Sequence, residues 1–134
     1  MSKRFFKKII ARSEQDLRVI SALCEKSKAR IDQIKFLKEN KIFILMLERK
    51  LNEENNSKNI QSIIKCEYVN NVKSKKIIQT HKEKVLDLFA IDSHKFDKKY
   101  MISFYFNKKA IITIDAEIIE ITLEDQKFTN DKNN

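Results

Sequence analysis

The chain contains no glycine and no proline among its 134 residues. These two residues supply most of the backbone conformations that tight turns and phosphate-binding loops require. Walker A and Rossmann loops, which need glycine at fixed positions, are therefore absent from the sequence. Every turn must be built from other residues, and asparagine is well suited to the left-handed conformation that glycine otherwise supplies. We expect Asn40, Asn70, Asn71 and Asn107 to take this role.

The rest of the composition is typical of an AT-rich genome, because codons for lysine, isoleucine and asparagine can consist of A and T alone. The net charge of +9 comes from 23 lysines but only 5 arginines. Arginine is the better residue for bidentate contacts with phosphates and bases. The lysines are also scattered along the chain. We therefore interpret the charge as a solvated surface, with nucleic-acid or ribosome binding as the alternative.

The length and the 42% of hydrophobic residues are typical of one folded domain with its own core. We expect the domain to span residues 1–126 and a polar, frayed tail to span residues 127–134. No apolar run approaches the roughly 20 residues of a membrane span. The basic N-terminal segment lacks the apolar stretch of a signal peptide. These features predict a cytoplasmic protein that makes no membrane contact.

One amphipathic helix is predicted after a first strand at residues 3–11. Ser13 and Asp16 frame a capping box, in which the Ser13 side chain accepts from the backbone N–H of Asp16 and the Asp16 carboxylate reaches back. The apolar residues that follow recur at helical spacing, and they are Leu17, Ile20, Leu23 and Cys24. The helix is expected to end near residues 26–28.

The two cysteines, Cys24 and Cys66, lie far apart in apolar segments. Neither belongs to a C-x-x-C pair, so the sequence indicates no zinc site, redox pair or other cofactor. A cytoplasmic location argues against a disulfide between them. We expect two free thiols that pack as small apolar side chains.

From residue 29 onward the pattern is typical of β-strands. The predicted strands include residues 42–47, 60–72 with a bulge at Asn70 and Asn71, 85–91, 100–106, and 110 onward toward 123. Residues 52–59 are predicted to form a loop, residues 73–84 a connection, and residues 107–109 a hairpin turn. The fold class is therefore α+β, with one N-terminal helix on a mostly antiparallel sheet of about seven strands.

Two of these strands, residues 42–47 and 100–106, are apolar almost without alternation, which is typical of strands buried on both faces. One short helix covers only one face of a sheet. The other face must be covered by the sheet curling onto itself, as a partial barrel, a sandwich or a PH-like arrangement, or by a second copy of the chain. We expect strong curling and regard a homodimer as the alternative.

Asp92, His94 and Asp97 form the densest group of candidate catalytic residues. If the strand that ends near residue 91 continues, Asp92 and His94 lie on one face, as a metal pair or an acid-oriented base requires. A polar hairpin turn explains the same residues without any chemistry. No third ligand stands at a diagnostic spacing, so we rank the turn ahead of a small metal-dependent or acid–base enzyme.

Five acidic residues near the C-terminus form a stripe, and they are Asp115, Glu117, Glu120, Glu124 and Asp125. Carboxylates in pairs can perform acid–base chemistry or bind cations. They can equally balance lysines on neighbouring strands, which is the interpretation we prefer.

Aromatic residues next to lysines at Phe104, Tyr105 and Phe106 resemble a base-stacking strand of a nucleic-acid-binding sheet. Aromatic residues in a strand more often belong to the core. We therefore rank the core interpretation ahead of single-stranded nucleic-acid binding.

Residues 16–22, with the sequence DLRVISA, resemble a segment of a small alphaproteobacterial family of uncharacterised proteins, a domain of unknown function. The similarity continues at residues 45–49, 88–91 and 118–125. The family's usual glycines in the final hairpin are replaced here by Asn107-Lys108-Lys109. The resemblance implies an alphaproteobacterial origin and genes often found beside histidinol dehydrogenase. It implies no activity, cofactor or catalytic residue.

The sequence therefore favours a non-enzymatic binding or protein-interaction module of housekeeping type that uses its sheet or a dimer surface. A homodimer or an unidentified protein is the expected partner. No cofactor and no membrane are expected.

Overall fold

The computed structural model describes residues 7–53 and 56–128, and the side chains of residues 7–50 and 59–128. One α-helix and ten strands follow one another in the described residues. They are β1 (Lys8–Ala11), α1 (Glu14–Cys24), β2 (Lys28–Arg30), β3 (Ile34–Leu37), β4 (Ile42–Glu53), β5 (Asn56–Cys66), β6 (Val69–Lys75), β7 (Val85–Phe96), β8 (Lys99–Phe106), β9 (Ile111–Ala116) and β10 (Ile121–Phe128). Three short 3₁₀ turns cover Ile31–Gln33, Lys38–Asn40 and Asn107–Lys109.

All strand pairs are antiparallel, and they form one sheet in the order β1-β10-β5-β4-β2-β7-β8-β9-β6, with β3 also paired to β4. The α+β class with a mostly antiparallel sheet is confirmed. The expected number of about seven strands is wrong, because the described residues form ten. The pairing path has two separate ends, β1 and β6, so the sheet does not close into a barrel within these residues.

Two predicted strands are each two strands in the structure. Residues 60–72 contain a break at Tyr68, whose φ of 61° turns the chain from β5 into β6. Residues 110–123 contain a bend between Ala116 and Ile121 that separates β9 from β10. Side-chain polarity does not mark either corner, which is why the sequence pattern joined them. The bulge predicted near Asn70 is confirmed by the register shift between Val69 and Asn71.

The loop predicted at residues 52–59 is also wrong for most of its length. β4 and β5 form one long hairpin that stays in register from Phe43↔Cys66 to Glu53↔Asn56. Residues 54 and 55 lie outside the described part. Backbone hydrogen bonds hold the two strands of this hairpin together, and they do not depend on apolar side chains. A polar strand of this kind is therefore not recognised from its hydrophobic pattern.

The sheet folds over onto itself. The ring centroids of Phe43 on β4 and Phe104 on β8 lie 5.5 Å apart. Along the sheet these strands are separated by three strand spacings, roughly 14 Å in a flat sheet. The inner faces of the two halves therefore meet in a shared core, in which both rings are fully buried.

Helix α1 packs against β7 and β1 and contributes Leu17, Ile20 and Cys24 to this core. The predicted cap is confirmed, because the Ser13 Oγ accepts a 3.0 Å hydrogen bond from the backbone N–H of Asp16. The Asp16 carboxylate reaches back one residue further than expected and accepts from the Arg12 N–H at 3.1 Å. The helix ends at Cys24, short of residues 26–28, because Lys26 has a φ of 70°.

The prediction that residues 42–47 are buried on both faces is wrong. Burial alternates along this segment: Phe43, Leu45 and Leu47 are buried, and the residues between them are half-buried. β8 repeats this alternation with Ile102, Phe104 and Phe106. The folded sheet thus covers one face of each strand. A second copy of the chain as cover for the other face stays a prediction.

The turns use lysine rather than asparagine as the substitute for glycine. Seven described residues have positive φ, and they are Lys26, Lys41, Tyr68, Lys76, Asp97, Lys108 and Lys109. The expectation that Asn40, Asn70, Asn71 and Asn107 take this conformation is wrong, because none of them has a positive φ. Local hydrogen bonding at each corner decides which residue takes the left-handed conformation, and the residue type alone does not reveal it.

β10 continues to Phe128, two residues into the tail predicted to begin at residue 127. The tail after residue 128 lies outside the described residues. No helix in the described part of the chain is long and apolar enough to cross a membrane.

Candidate functional site

A cleft opens into the core where the sheet fails to close, between β3 and β6. Within the described residues β3 pairs with β4 alone and β6 pairs with β9 alone, so two unpaired strand edges flank the opening. The cleft encloses about 240 Å³.

Both ends of the cleft are closed by backbone hydrogen bonds. At one end the Val69 N–H donates to the Lys41 carbonyl at 2.9 Å, which joins the start of β6 to the start of β4. At the other end the Ile31 N–H donates to the Lys84 carbonyl at 3.1 Å, which holds the 76–84 connection against the chain before β3. These hydrogen bonds tie the chain just before β3 and just after it, so the free edge of β3 is limited to Ile34–Leu37.

The inside of the cleft is apolar. Its floor is formed by buried side chains, and its walls by apolar side chains that remain only partly buried. The floor residues are Ile31, Phe43 and Ile112; the wall residues are Ile34, Phe36, Val72 and Ile77.

The polar side chains that line the cleft stand at its mouth. Lys35, Ser74 and Gln79 line it and are all exposed. The Gln79 Nε2 lies 3.4 Å from the Ser74 Oγ, so these two side chains pair across the mouth. An ammonium, a hydroxyl and a carboxamide bind and orient a polar ligand group. Sequence patterns missed the cleft, because its residues come from five separate segments.

A buried polar network lies on the other side of the core. The Arg49 Nη2 donates to both carboxylate oxygens of Asp125, at 2.9 and 3.0 Å, and the Arg49 Nε donates to the Ser62 Oγ at 3.1 Å. The Ser62 hydroxyl in turn donates to Asp125 at 2.6 Å. Asp125 also accepts from the Lys7 N–H at 2.9 Å, and Arg49 reaches the Leu23 carbonyl at 3.4 Å.

Each charge in this network is matched, so the network ties β4, β5, β10 and the end of α1 together. An ion pair of this kind, with its hydrogen bonds satisfied inside the protein, fixes the arrangement of its strands. We therefore assign it a structural role.

Both cysteines are free and buried, as the sequence predicted. Burial raises the pKa of the Cys24 thiol to about 12 and raises that of Cys66 further above its usual range. The thiolate is the reactive form. Both thiols are therefore inert apolar side chains at neutral pH.

The structure brings Asp92 and His94 together on one face of β7, with the His94 Nε2 3.9 Å from an Asp92 carboxylate oxygen. They lie in the strand rather than in the turn, which begins at Asp97 with a φ of 62°. The side chains are 74% exposed for His94 and 48% exposed for Asp92. Within the described residues no group of three or more His, Cys, Asp or Glu is placed to hold a metal ion. The site of the acid–base hypothesis is thus an open surface.

Charge pairing explains most of the acidic stripe. Asp115 pairs with Lys99 at 3.4 Å and Glu117 pairs with Lys41 at 3.1 Å. Glu120 pairs with Arg12 at 3.1 Å, and the Lys41 ammonium lowers the pKa of the Glu117 carboxyl. The preferred interpretation, pairing with lysines on neighbouring strands, is confirmed for Asp115, whereas Glu117 and Glu120 form their pairs outside the strands and Glu120 pairs with an arginine. Asp125 differs from them, because it is buried.

The aromatic strand divides between the two faces of the sheet. Phe104 and Phe106 are buried in the core, as we preferred, whereas Tyr105 lies half-buried on the outer face. Phe89 lies near Tyr105 and is 54% exposed. The sequence pattern does not single out Phe89 as a surface residue, because it stands in the apolar run of residues 88–91.

The fold and cleft define a class of small α+β protein with one helix on a folded antiparallel sheet and an apolar pocket at its open side. The chain belongs to the family described as "Protein of unknown function (DUF2948)", whose family model matches residues 7–133. The resemblance to a family of unknown function is thereby confirmed. No curated protein and no solved structure matches the chain.

Proposed function

We propose that this protein is a non-enzymatic binding module that holds a small amphipathic ligand in the cleft between β3 and β6. The supporting observation is a core that is left open on this side. Ile34, Phe36 and Val72 are only partly buried, although Phe43 behind them is fully buried. An apolar ligand would cover these side chains, and each buried CH₂ group contributes about 0.8 kcal/mol.

The distribution of polar groups supports an amphipathic ligand over a wholly apolar one. Ligand pockets are mostly apolar, with a few polar groups that fix orientation. Here Lys35, Ser74 and Gln79 stand together at the mouth. The ligand's apolar body would enter first, and an anionic or hydrogen-bonding head would remain at the mouth beside Lys35.

The closed ends of the cleft favour a small molecule over a peptide. An extended peptide that adds a strand to a sheet needs an open edge along its length. The free edge of β3 is only four residues long, Ile34–Leu37, and the hydrogen bonds at Lys41 and Lys84 hold the chain on either side of it. Protein interaction through the cleft is therefore the second choice.

Binding of the neutral fluorophore N-phenyl-1-naphthylamine tests the apolar part of this proposal. A neutral probe is chosen because the net charge of +9 attracts anionic dyes to any surface. We expect its fluorescence to rise on binding, and Val72→Trp to abolish the rise by filling the cleft. Val19→Trp is the matched control, because Val19 is exposed on α1 and away from the cleft.

Ser74→Trp provides a second test that leaves the cleft walls intact and narrows only the mouth. Far-ultraviolet circular dichroism of each variant establishes that it is folded. Equal probe binding by the native chain, Val72→Trp and Ser74→Trp would overturn the proposal.

Competition by octanoate and octanol tests the polar head. We expect both compounds to displace the probe. Lys35→Gln is expected to weaken the binding of octanoate several-fold and to leave the binding of octanol unchanged. Lys98→Gln is the charge-matched control, since Lys98 is exposed in the β7–β8 turn. An equal effect of the two substitutions would show that octanoate responds to net charge alone.

A further inference from the structure

A second surface lies on the outer face of the sheet, away from the core. Tyr105 on β8, Ile111 on β9 and Lys75 on β6 are directly paired across the three strands. Phe89 on β7 extends this row, and Lys76 and Lys109 flank it. We name these six residues the outer patch. They line a shallow depression of about 460 Å³.

The exposure of Phe89 is built into β7. The register shift between Leu88 and Ala90 inserts one extra residue opposite β8. Leu88 and Ile91 are consequently both buried, while Phe89 between them is 54% exposed. The Ser21 Oγ on α1 accepts a hydrogen bond from the Ile91 N–H at 2.9 Å, which stabilises the bulge. Bulges are frequent where a side chain is re-aimed at a functional surface.

Positive charge surrounds the aromatic rings. Lys75, Lys76 and Lys109 are all exposed at one edge of the outer patch. Lys76 and Lys109 have φ values of 64° and 63°, so each of these lysines occupies a corner of the chain. The Asp92 carboxylate contacts this patch, because it accepts a hydrogen bond from the Tyr105 hydroxyl at 3.3 Å.

We propose that the outer patch binds single-stranded nucleic acid, with bases stacked on Phe89 and Tyr105 and phosphates beside Lys75, Lys76 and Lys109. Sheet-borne aromatic residues beside a basic track are the features that single strands recognise, because unpaired bases expose their faces. A duplex hides those faces, and an acidic peptide offers no ring to stack on Phe89. The lysines supply the salt-dependent part of the affinity.

This surface is independent of the cleft. Ser74 and Lys75 are neighbours on β6 and point to opposite faces, Ser74 to the mouth of the cleft and Lys75 to the outer patch. A failure of one proposal therefore leaves the other intact.

Fluorescence anisotropy of a labelled oligouridylate of about 12 nucleotides tests the proposal. We expect Phe89→Ala to weaken binding about tenfold, because one stacked base is lost. Phe96→Ala is the matched control: Phe96 is also on β7 and is 66% exposed, but it lies outside the outer patch. Asp92→Asn is expected to strengthen binding several-fold by removing a nearby negative charge.

The salt dependence tests the phosphate contacts. The double variant Lys75→Gln/Lys109→Gln is expected to reduce the slope of log affinity against log salt by about 1.4, since each phosphate contact with a single strand contributes about 0.7. The double variant Lys82→Gln/Lys98→Gln carries the same charge change elsewhere on the surface. It is expected to reduce this slope much less. Equal slopes in the two double variants, equal affinity of Phe89→Ala and Phe96→Ala, or equal binding of a duplex would each overturn the proposal.

Discussion

Arg49 on β4 and Asp125 on β10 form an ion pair across an intervening strand, in which the Arg49 Nη2 lies 2.9 and 3.0 Å from the two carboxylate oxygens. β5 separates the two strands, and its Ser62 bridges the pair from between them. The side chains are 4% and 0% exposed. The pair therefore fixes the lateral order of three strands from inside the core.

Replacing one member of this pair is expected to lower the free energy of unfolding far more than replacing both. Asp125→Leu leaves the Arg49 guanidinium buried without a counter-charge, and we expect the free energy of unfolding to fall by about 3–5 kcal/mol. The double variant Arg49→Met/Asp125→Leu buries no charge and is expected to recover most of that loss. Urea unfolding of the native chain and the three variants, including Arg49→Met alone, measures the coupling.

An exposed pair supplies the control for this cycle. Arg12 and Glu120 are 3.1 Å apart, but the Arg12 side chain is 67% exposed. Arg12→Met is expected to leave the free energy of unfolding almost unchanged, because water screens the pair. A double variant in the core that is as unstable as the sum of its single variants would contradict the desolvation argument.

The ion pair also shows why the sequence predicts some parts of this protein better than others. Helix α1 is predicted well because its cap joins Ser13 to Asp16, three residues away. Arg49 and Asp125 are 76 residues apart, and nothing local distinguishes Asp125 from the exposed acidic residues around it. Their pairing depends on strand order, which hydrophobic patterns do not encode.

The number of strands and the position of the cleft could not be predicted from the sequence for the same reason. The corner at Tyr68 and the hairpin of β4 and β5 are set by backbone geometry rather than by side-chain polarity. The cleft depends on an opening between β3 and β6, which are far apart in the chain. Phe89 lies at a one-residue bulge in β7 that allows both Leu88 and Ile91 to be buried. Each of these features is a property of the folded sheet and has no local signature.

The cap of α1 gives a second prediction. The Ser13 Oγ satisfies the Asp16 N–H at the N-terminus of the helix. Ser13→Ala is expected to lower the free energy of unfolding by about 1 kcal/mol, because this N–H loses its partner. Ser13→Gly is expected to cost only a few tenths of a kcal/mol, since glycine also suits the cap position. Thermal unfolding of the two variants compares them, and equal losses would assign the effect to packing instead of capping.

The buried thiols predict a loss of stability at high pH. The ordinary thiol pKa is 9.0, and burial raises the pKa of Cys24 to about 12 and that of Cys66 still higher. Above about pH 9 the unfolded chain releases these protons while the folded chain retains them. The contribution of the thiols is therefore complete below pH 9 and declines as the pH rises toward 12, by up to about 1.4 kcal/mol per pH unit for each thiol.

The Cys24→Ala/Cys66→Ala variant isolates this contribution, because the lysines that also titrate in this range are common to both proteins. The variant is expected to be less stable at pH 8, and its deficit is expected to shrink between pH 9 and pH 11. A deficit that stays constant over this interval in urea unfolding would show that the thiols do not titrate differently in the two states.

The last prediction concerns Lys26, which follows the C-cap of α1 at the position where helices commonly place glycine. Its φ of 70° is costly for a residue with a Cβ atom, and its N–H donates to the Leu88 carbonyl at 2.7 Å. Lys26→Gly keeps that hydrogen bond and removes the steric cost, which outweighs the added freedom of the unfolded chain. We expect the free energy of unfolding to rise by about 0.5–1 kcal/mol.

Glu25→Gly is the matched control. Glu25 has a φ of −59°, so glycine relieves no strain there, and the free energy of unfolding is expected to fall by about 0.4–1 kcal/mol. Thermal unfolding that ranks Glu25→Gly at or above Lys26→Gly would show that the left-handed lysine is not strained.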